Sequence, residues 1–116
     1  GGYTAILPDQ VPPMGQGVWA PFFGRDVYTM TLLAKLAQQT GAQVIQTWCE
    51  RLPIGQGFCL HMRPMQAPEL NDTSVSPEQA AIAVNRGVED MIRHAPGQYL
   101  WSYDRDKQPR SEGAAQ

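Results

Sequence analysis

The segment over residues 76–97 has the clearest helix signal in the chain and limits the folds that the chain can adopt. Ser76 can cap the first turn, Pro77 fits the first helical position, and Gln79 completes a capping-box pattern. Apolar residues then recur at helical spacing until Pro96 and Gly97 end the pattern. This predicts a long amphipathic helix, which needs a second layer to bury its apolar stripe. The stripe consists of Ala81, Val84, Val88, Met91, Ile92 and Ala95.

A second helix and further strands are predicted before this helix. Residues 3–7 form a short apolar run that fits a buried parallel strand. Residues 8–25 are rich in proline and glycine and are predicted to form a loop. Asp26 can then cap a helix over residues 27–40, which Gly41 ends. Residues 42–50 and 58–63 are predicted to be strands joined by a loose hairpin turn.

These elements predict an α/β fold with a small mixed sheet of about three strands and two main helices. The succession of strand 3–7, helix 27–40 and strand 42–50 implies a right-handed parallel crossover. Strand 58–63 then adds an antiparallel neighbour. A length of 116 residues with 42% hydrophobic content fits one globular domain.

Charge and hydropathy exclude several classes of protein. The formal net charge of −2 gives no basic surface of the kind that binds nucleic acid, so no nucleic-acid partner is predicted. No apolar run in the sequence approaches the about 18 residues of a membrane-spanning helix. The two cysteines are too few for a disulfide framework and suit a reducing compartment.

Two local patterns resemble cofactor or metal sites but do not support one. The string Gly15-x-Gly17-x-x-Ala20 matches a dinucleotide fingerprint, yet prolines and aromatics follow where a helix should begin, so no cofactor is predicted. Cysteines and histidines are too few for a typical metal site, so no metal is predicted either. A hairpin folded about residue 54 would place Cys49 roughly opposite Cys59, both packed in the sheet.

Six short motifs occur in order along the chain and carry a family resemblance. An Asp follows the first predicted strand, a Pro/Gly loop leads to an aromatic-glycine turn, and a Gly-Ala pair opens the next strand. An Arg follows that strand, a Gly-x-Gly hairpin comes next, and the last helix closes on Pro-x-Gln-Tyr-x-Trp. This ordered set, within residues 3–110, resembles the C-terminal portion of the bacterial lipid A acyltransferases, which belong to the lysophospholipid acyltransferase superfamily. The motifs are Asp9 and Arg51 with residues 21–24, 41–42, 55–57 and 96–101.

The resemblance implies an enzyme that moves a fatty acyl group from an acyl-carrier-protein thioester to a hydroxyl of a lipid A precursor. The superfamily's catalytic signature is His-x-x-x-x-Asp/Glu, in which the His deprotonates the hydroxyl. The required acidic position holds Gln66 after His61 and Tyr99 after His94. We therefore expect residues 1–116 to be a single domain or fragment that lacks the N-terminal catalytic part, contains no catalytic residue and is inactive alone. The resemblance also implies the cytoplasmic face of the bacterial inner membrane.

Substrate-binding residues are implied by the same motifs. Asp9 is predicted at a strand end, where open α/β sheets bind ligands, although an Asp there can also simply form a turn. Arg51 suits an anionic headgroup, or equally a surface pair with an acid such as Glu50. Phe22 and Phe23 suit either a lipid entrance or the core. The implied substrate-binding set is Asp9, Gln10, Phe22, Phe23, Gly24 and Arg51.

The tail suggests a contact with a membrane surface or a lipid headgroup. Trp101, Arg105 and Lys107 combine aromatic and cationic groups, as interfacial segments do, although the tail can also pack back on the sheet. Where the family has a basic run with an aromatic, this chain has alternating charges over residues 104–107, which argues against a strong anionic contact.

Two other functions remain open at this point. The chain can be part of a glycerolipid acyltransferase, or a stand-alone lipid-binding or interaction domain without catalysis. Self-association is also expected, because strand 3–7 would present unpaired backbone groups and helix 27–40 would have apolar surface without cover.

Overall fold

The computed structural model describes residues 2–99, 103–105 and 107–109. Within these residues the element order is β1 (Gly17–Phe22), β2 (Arg25–Met30), α1 (Leu32–Thr40), β3 (Ile45–Arg51), β4 (Phe58–Pro64) and α2 (Pro77–His94). Short 3₁₀ helices cover Pro68–Asn71 and Pro96–Gln98. The strands form two separate antiparallel hairpins, β1–β2 and β3–β4. The predicted α/β class with two main helices is confirmed, and the strand number is close to the expected one.

The long helix α2 is confirmed and lies at the centre of the fold. The side chain of Ser76 accepts a hydrogen bond of 3.2 Å from the backbone N–H of Gln79, so the cap predicted from the sequence is formed. The helix contacts both hairpins, α1 and the 3₁₀ helix Pro68–Asn71. Its buried positions are Ala80, Ala81, Ala83, Val84, Asn85, Gly87, Val88 and Ile92.

Two apolar clusters lie along α2, one on each half of the helix. The first is rich in alanine and joins α1, the 3₁₀ helix Pro68–Asn71 and the first half of α2. The second, called the hairpin core here, joins the tip of β1–β2 to the second half of α2 and consists of Phe22, Val27, Val88 and Ile92 with Met91 and Tyr99 against it. Small alanine side chains form most of the first cluster, whereas Phe22 is the largest buried side chain of the hairpin core.

The β1–β2 hairpin begins at Gly17, so the predicted loop over residues 8–25 is wrong from that residue on. The predicted helix start at Val27 is also wrong, because Val27 lies in β2. Phe22 pairs with Arg25, and the two residues between them, Phe23 and Gly24, have φ angles of 49° and 80°. A two-residue hairpin turn of the I′ type requires positive φ at both positions, and Gly24 supplies one of them without strain. Asp26 therefore lies in β2 instead of capping a helix.

Helix α1 is shorter than predicted because β2 continues to Met30. Thr31 is its N-cap residue, and Gly41 ends it as predicted, with its N–H donating to the Ala37 carbonyl at 2.9 Å. The predicted strand over residues 3–7 is wrong, since these residues have no regular structure, and Tyr3 and Leu7 are exposed. The parallel crossover inferred from that strand is wrong for the same reason.

The predicted β3–β4 hairpin is confirmed, but its register differs by one residue from the expected one. Cys49 lies opposite Leu60, and Cys59 lies opposite Glu50. Because side chains alternate between the faces of a strand, this shift places the two cysteines on opposite faces. Cys49 is exposed and Cys59 is partly buried, so the prediction that both are packed in the sheet is wrong for Cys49.

Gly17 is the glycine whose replacement the fold should tolerate least. A Cβ atom there would lie 2.5 Å from the backbone oxygen of Thr29 and 2.8 Å from Pro12 Cγ. Backbone of a paired strand cannot move aside, so Gly17→Ala should lower the free energy of unfolding by about 1–3 kcal/mol. Gly97→Ala is the control, because a Cβ atom at that position would meet nothing within 4 Å. Urea unfolding of both variants checks this, and equal midpoints would contradict it.

Candidate functional site

A buried arginine organises the most polar part of the interior. Arg105 is 6% exposed, although it lies in the C-terminal tail. Its Nη1 donates to the Tyr28 carbonyl at 2.6 Å, and its Nη2 donates to Thr29 Oγ1 at 3.2 Å and to Asn85 Oδ1 at 3.4 Å. The guanidinium also lies 5.5 Å from the centre of the Phe22 ring. The guanidinium thus ties the tail to the first hairpin and to α2.

Asn85 and Thr29 complete this network between helix and strands. Asn85 Nδ2 donates to Thr29 Oγ1 at 2.9 Å and to the Pro21 carbonyl at 3.2 Å. Thr29 Oγ1 in turn donates to the Val27 carbonyl at 3.2 Å. Both side chains are almost fully buried, where an unmet hydrogen bond is costly. We call Thr29, Asn85 and Arg105 the polar core.

Asp9 lies beside this polar core, at the border between interior and surface. Its carboxylate is hydrogen-bonded to the hydroxyl of Tyr99. Burial raises the pKa of Tyr99 to about 12, and the negative charge and hydrogen bond of Asp9 act in the same direction, while Arg105 opposes them. Two residues further on, the Val11 N–H donates to the Tyr103 hydroxyl at 2.8 Å. Two tail tyrosines therefore hold the segment that carries Asp9.

The raised pKa of Tyr99 gives an expected pH dependence. The folded chain keeps this proton up to about pH 12, whereas the unfolded chain loses it near the ordinary value of 10.0. The contribution of Tyr99 to stability is therefore complete below pH 10 and is lost between about pH 10 and 12. Tyr99→Phe should flatten the fall in stability across that window, and the exposed Tyr3→Phe should not. A phenolate absorbance difference between wild type and Tyr99→Phe with its midpoint near pH 10 would contradict this.

At the turn of the first hairpin, Phe22 is buried, whereas Phe23 and Gly24 are exposed. Phe22 is 7% exposed and belongs to the hairpin core, while Phe23 is 37% exposed at the tip. The Phe23 N–H donates to Glu89 Oε2 at 3.3 Å, and Arg93 lies 5.2 Å from the centre of its ring. A non-glycine residue at positive φ is unusual. These contacts with α2 hold Phe23 in place despite that conformation.

Arg51 lies on the other hairpin and is connected to this region through its backbone. Its N–H donates to Gln98 Oε1 at 2.6 Å, and its carbonyl accepts from Gln98 Nε2 at 2.9 Å. Gln98 precedes Tyr99, so neighbouring side chains hold the Arg51 backbone and Asp9. The side chain of Arg51 is exposed, and the acid suggested as its partner, Glu50, bonds to His61 at 2.9 Å.

The tail residues differ in their positions. Lys107 is exposed, with its Nζ 4.8 Å from the centre of the Tyr103 ring, whereas Arg105 is buried in the polar core. A headgroup contact was expected for Arg105, but in the structure its guanidinium donates hydrogen bonds to groups inside the protein. Trp101 lies outside the described residues. Gln10 is partly buried next to Asp9.

The structure thus gathers Asp9, Phe22 and Arg105 in one region and places Arg51 at a separate edge. Thr29, Asn85 and Tyr99 also belong to this region, although no sequence motif indicated it. Asn85 could have been found, because it interrupts the apolar stripe of α2 between Val84 and Val88. A polar residue at a buried helical position needs partners, and here they come from the tail and the hairpin.

The chemistry of this site is that of binding through hydrogen bonds. A carboxylate that accepts one bond from Tyr99 keeps further acceptor positions for a hydroxyl donor. In the described ranges, no three or more His, Cys, Asp or Glu side chains are grouped as a metal site would require. Over the same part of the chain, no helix is both long and apolar enough to cross a bilayer.

Comparison with known proteins identifies the family. The sequence profile described as "Bacterial lipid A biosynthesis acyltransferase" matches residues 1–108. The chain is similar to the "Lipid A biosynthesis lauroyltransferase" of Escherichia coli (strain K12), with 36% identity over 98 residues, which is 83% of this chain and 30% of that protein. It is also similar to the "Lipid A biosynthesis acyltransferase" of Haemophilus influenzae, with 33% identity over 95 residues, 82% of this chain and 28% of that protein.

The match with these relatives covers only part of their length. The chain spans less than a third of the length of either curated relative. The profile match nevertheless covers Asp9, Phe22, Arg51, Tyr99 and Arg105, so the polar core and its surroundings lie within the family's sequence. The chain belongs to the bacterial lipid A biosynthesis acyltransferase family.

Proposed function

We propose that the chain is part of an enzyme that transfers a fatty acyl group from an acyl-carrier-protein thioester to a hydroxyl of a lipid A precursor. The profile match over residues 1–108 is the observation that supports this most. In this proposal the enzyme works at the cytoplasmic face of the bacterial inner membrane, where the tail contributes Trp101 and Lys107 to the membrane contact.

The proposed role of Asp9 and Arg51 is to bind the acceptor. Acyl transfer needs a base to deprotonate the acceptor hydroxyl and donors to stabilise the tetrahedral oxyanion. Neither His61 nor His94 has an acid at the family's spacing, so the proposed base lies in a part of the enzyme outside this sequence. Asp9, fixed by Tyr99, is positioned to accept a hydrogen bond from the acceptor, and Arg51 is the proposed cation for an anionic group.

The experiment that tests this function compares two purified proteins. One is this chain alone, and the other is the product of the complete reading frame that contains it. Each is incubated with acyl-carrier-protein thioester and either a lipid A precursor or a lysoglycerolipid. We expect transfer to the lipid A precursor by the complete product and none above the buffer blank by the chain alone. Transfer only to the glycerolipid would overturn the proposed acceptor, and turnover by the chain alone would overturn its proposed inactivity.

Asp9 gives the sharpest residue-level prediction of the proposed role. Asp9→Asn keeps an oxygen that accepts the Tyr99 hydrogen bond but removes the charge, so the melting temperature should change by only a few degrees. Activity of the complete product should fall at least about tenfold, equivalent to about 1.4 kcal/mol of transition-state stabilisation. The control is Asp26→Asn, an exposed change on β2. Equal activity of the two variants would contradict a binding role for Asp9.

A further inference from the structure

The β3–β4 hairpin has its polar face inside and its apolar face outside. The register places alternate residues of both strands on one face, which we call the outer face. The opposite, inner face is directed at α2, since Gln46 Nε2 donates to the Gly87 carbonyl at 3.1 Å. The outer face consists of Ile45, Thr47, Cys49, Arg51, Phe58, Leu60, Met62 and Pro64, and the inner face of Gln46, Trp48, Glu50, Cys59, His61 and Arg63.

The side chains of the inner face form hydrogen bonds and a ring stack with one another. His61 Nε2 lies 2.9 Å from Glu50 Oε1, and the His61 ring stacks on Trp48 with 4.0 Å between ring centres. Arg63 Nε donates to Gln46 Oε1 at 3.0 Å. The polar side chains of the inner face therefore satisfy one another, while the apolar side chains of the same strands lie on the outer face.

The outer face is unusually apolar for a surface in contact with water. Ile45 is 41% exposed, and Phe58, Leu60 and Met62 are each more than 60% exposed. Arg51 is the single charged residue of this face and lies at its end, beside the turn. Contiguous apolar patches of this kind mark surfaces that another layer covers, and a two-stranded hairpin alone is only marginally stable.

We propose that the apolar residues of the outer face are covered by helices from the remaining part of a lipid A acyltransferase chain. The relatives are more than three times as long as their matched regions, so most of their chain is available to supply this layer. The family profile spans the whole hairpin, which makes the hairpin part of the family domain. Helices packed on a sheet face are the usual second layer of α/β folds.

Composition argues against a lipid bilayer as the occupant. Surfaces that lie in a membrane interface typically carry several Lys or Arg with Trp or Tyr at their border. The outer face has one Arg, no Lys, no Trp and no Tyr. This inference rests on family membership and the register of the hairpin, and it does not depend on which acyl donor or acceptor the enzyme uses.

The two cysteines provide a direct test, since one lies on each face of the hairpin. The product of the complete reading frame is labelled with N-ethylmaleimide, both folded and unfolded in guanidinium, and labelling of Cys49 is followed by peptide mass mapping. We expect Cys49 in the folded protein to react at least about 100-fold more slowly than in the unfolded protein. This protection should be independent of protein concentration and of added phospholipid vesicles. A Cys59→Ser variant repeats the measurement without the second thiol.

Each other outcome would overturn the proposal. Reaction of Cys49 at the unfolded rate would mean that the outer face is open to solvent. Protection that increases with protein concentration would identify a second copy as the occupant, and protection that requires vesicles would identify a membrane. Because labelling is read without any acyl-transfer assay, failure of this inference is distinguishable from failure of the proposed function.

Discussion

Arg105→Ala is expected to destabilise the fold more than any other single substitution considered. It removes three hydrogen bonds from a charged donor and leaves the Asn85 amide oxygen and the Tyr28 carbonyl short of a partner. Hydrogen bonds to charged groups contribute about 1.5–3 kcal/mol each, so the loss of several of them should lower the free energy of unfolding by about 3–5 kcal/mol. Since small domains have only about 5–15 kcal/mol in total, the melting temperature should fall by about 10 °C or more.

Lys107→Ala is the matched control for the loss of a cationic side chain in the tail. Lys107 is exposed and its ammonium contacts only the face of Tyr103 among the interactions described above, so its removal should change stability by less than about 0.5 kcal/mol. Thermal unfolding followed by circular dichroism compares the two variants. If Arg105→Ala melts within a few degrees of Lys107→Ala, the guanidinium does not hold the tail in place.

Asn85→Ala is expected to have the second largest effect. Its amide donates to Thr29 and to the Pro21 carbonyl and accepts from Arg105, so truncation leaves three groups without one of their partners, two of them buried. We expect a loss of about 2–4 kcal/mol, combining the unmet hydrogen bonds with a small cavity. Arg86→Ala on the next position is the control, since its ion pair with Glu69 at 3.2 Å is on the surface and contributes about 0–1 kcal/mol.

A double-mutant cycle separates the shared network from two independent losses. If Asn85 and Arg105 act together, the double variant should be less destabilised than the sum of the single variants, by about 1 kcal/mol or more. Chemical unfolding with a common slope for all four proteins provides the energies. Additive effects would show that the contact at 3.4 Å carries no coupling.

The sequence predicts α2 well because its signals are local. Ser76, Pro77 and Gln79 act within one helical turn, and Pro96 ends the pattern whatever the rest of the chain does. The β3–β4 hairpin is predicted for a similar reason, since its turn and its strands are neighbours in sequence. Its register is not, because a loop with two glycines allows pairings that differ by one residue.

The β1–β2 hairpin shows where local reasoning fails. Phe23 at a φ of 49° is a rare choice for a I′ turn, which is normally recognised from Asn-Gly or Asp-Gly. The alternation along β2 is hidden as well, because Val27, Tyr28 and Thr29 are all buried. Val27 and Thr29 contact α2 on one side of the strand, and on the other side the Tyr28 hydroxyl accepts hydrogen bonds from the N–H groups of Gly15 and Gly17. Both sides of the strand are therefore covered, and the apolar run resembles that of a helix.

The candidate site was likewise predictable only where its residues belong to short local motifs. Asp9 and Phe22 were found from motifs of a few residues, whereas the burial of Arg105 depends on partners that lie far away in sequence. A cationic tail residue is normally exposed, and only the polar positions at Thr29 and Asn85 make its burial favourable. The sequence shows these two residues but not that they face the same side chain.

The polar core also has a consequence for the order of events during synthesis. Arg105 is separated by 77 positions from Tyr28, and Tyr103 by 92 from Val11. The ribosome therefore releases the first hairpin well before Arg105 and Tyr103. Until then the Asn85 side-chain oxygen and the Tyr28 carbonyl must be hydrated, and closing such distant contacts is slow. We expect the hairpin to become protease-resistant only after Arg105 has emerged, which makes the docking of Tyr103 and Arg105 a late step in the folding of this segment.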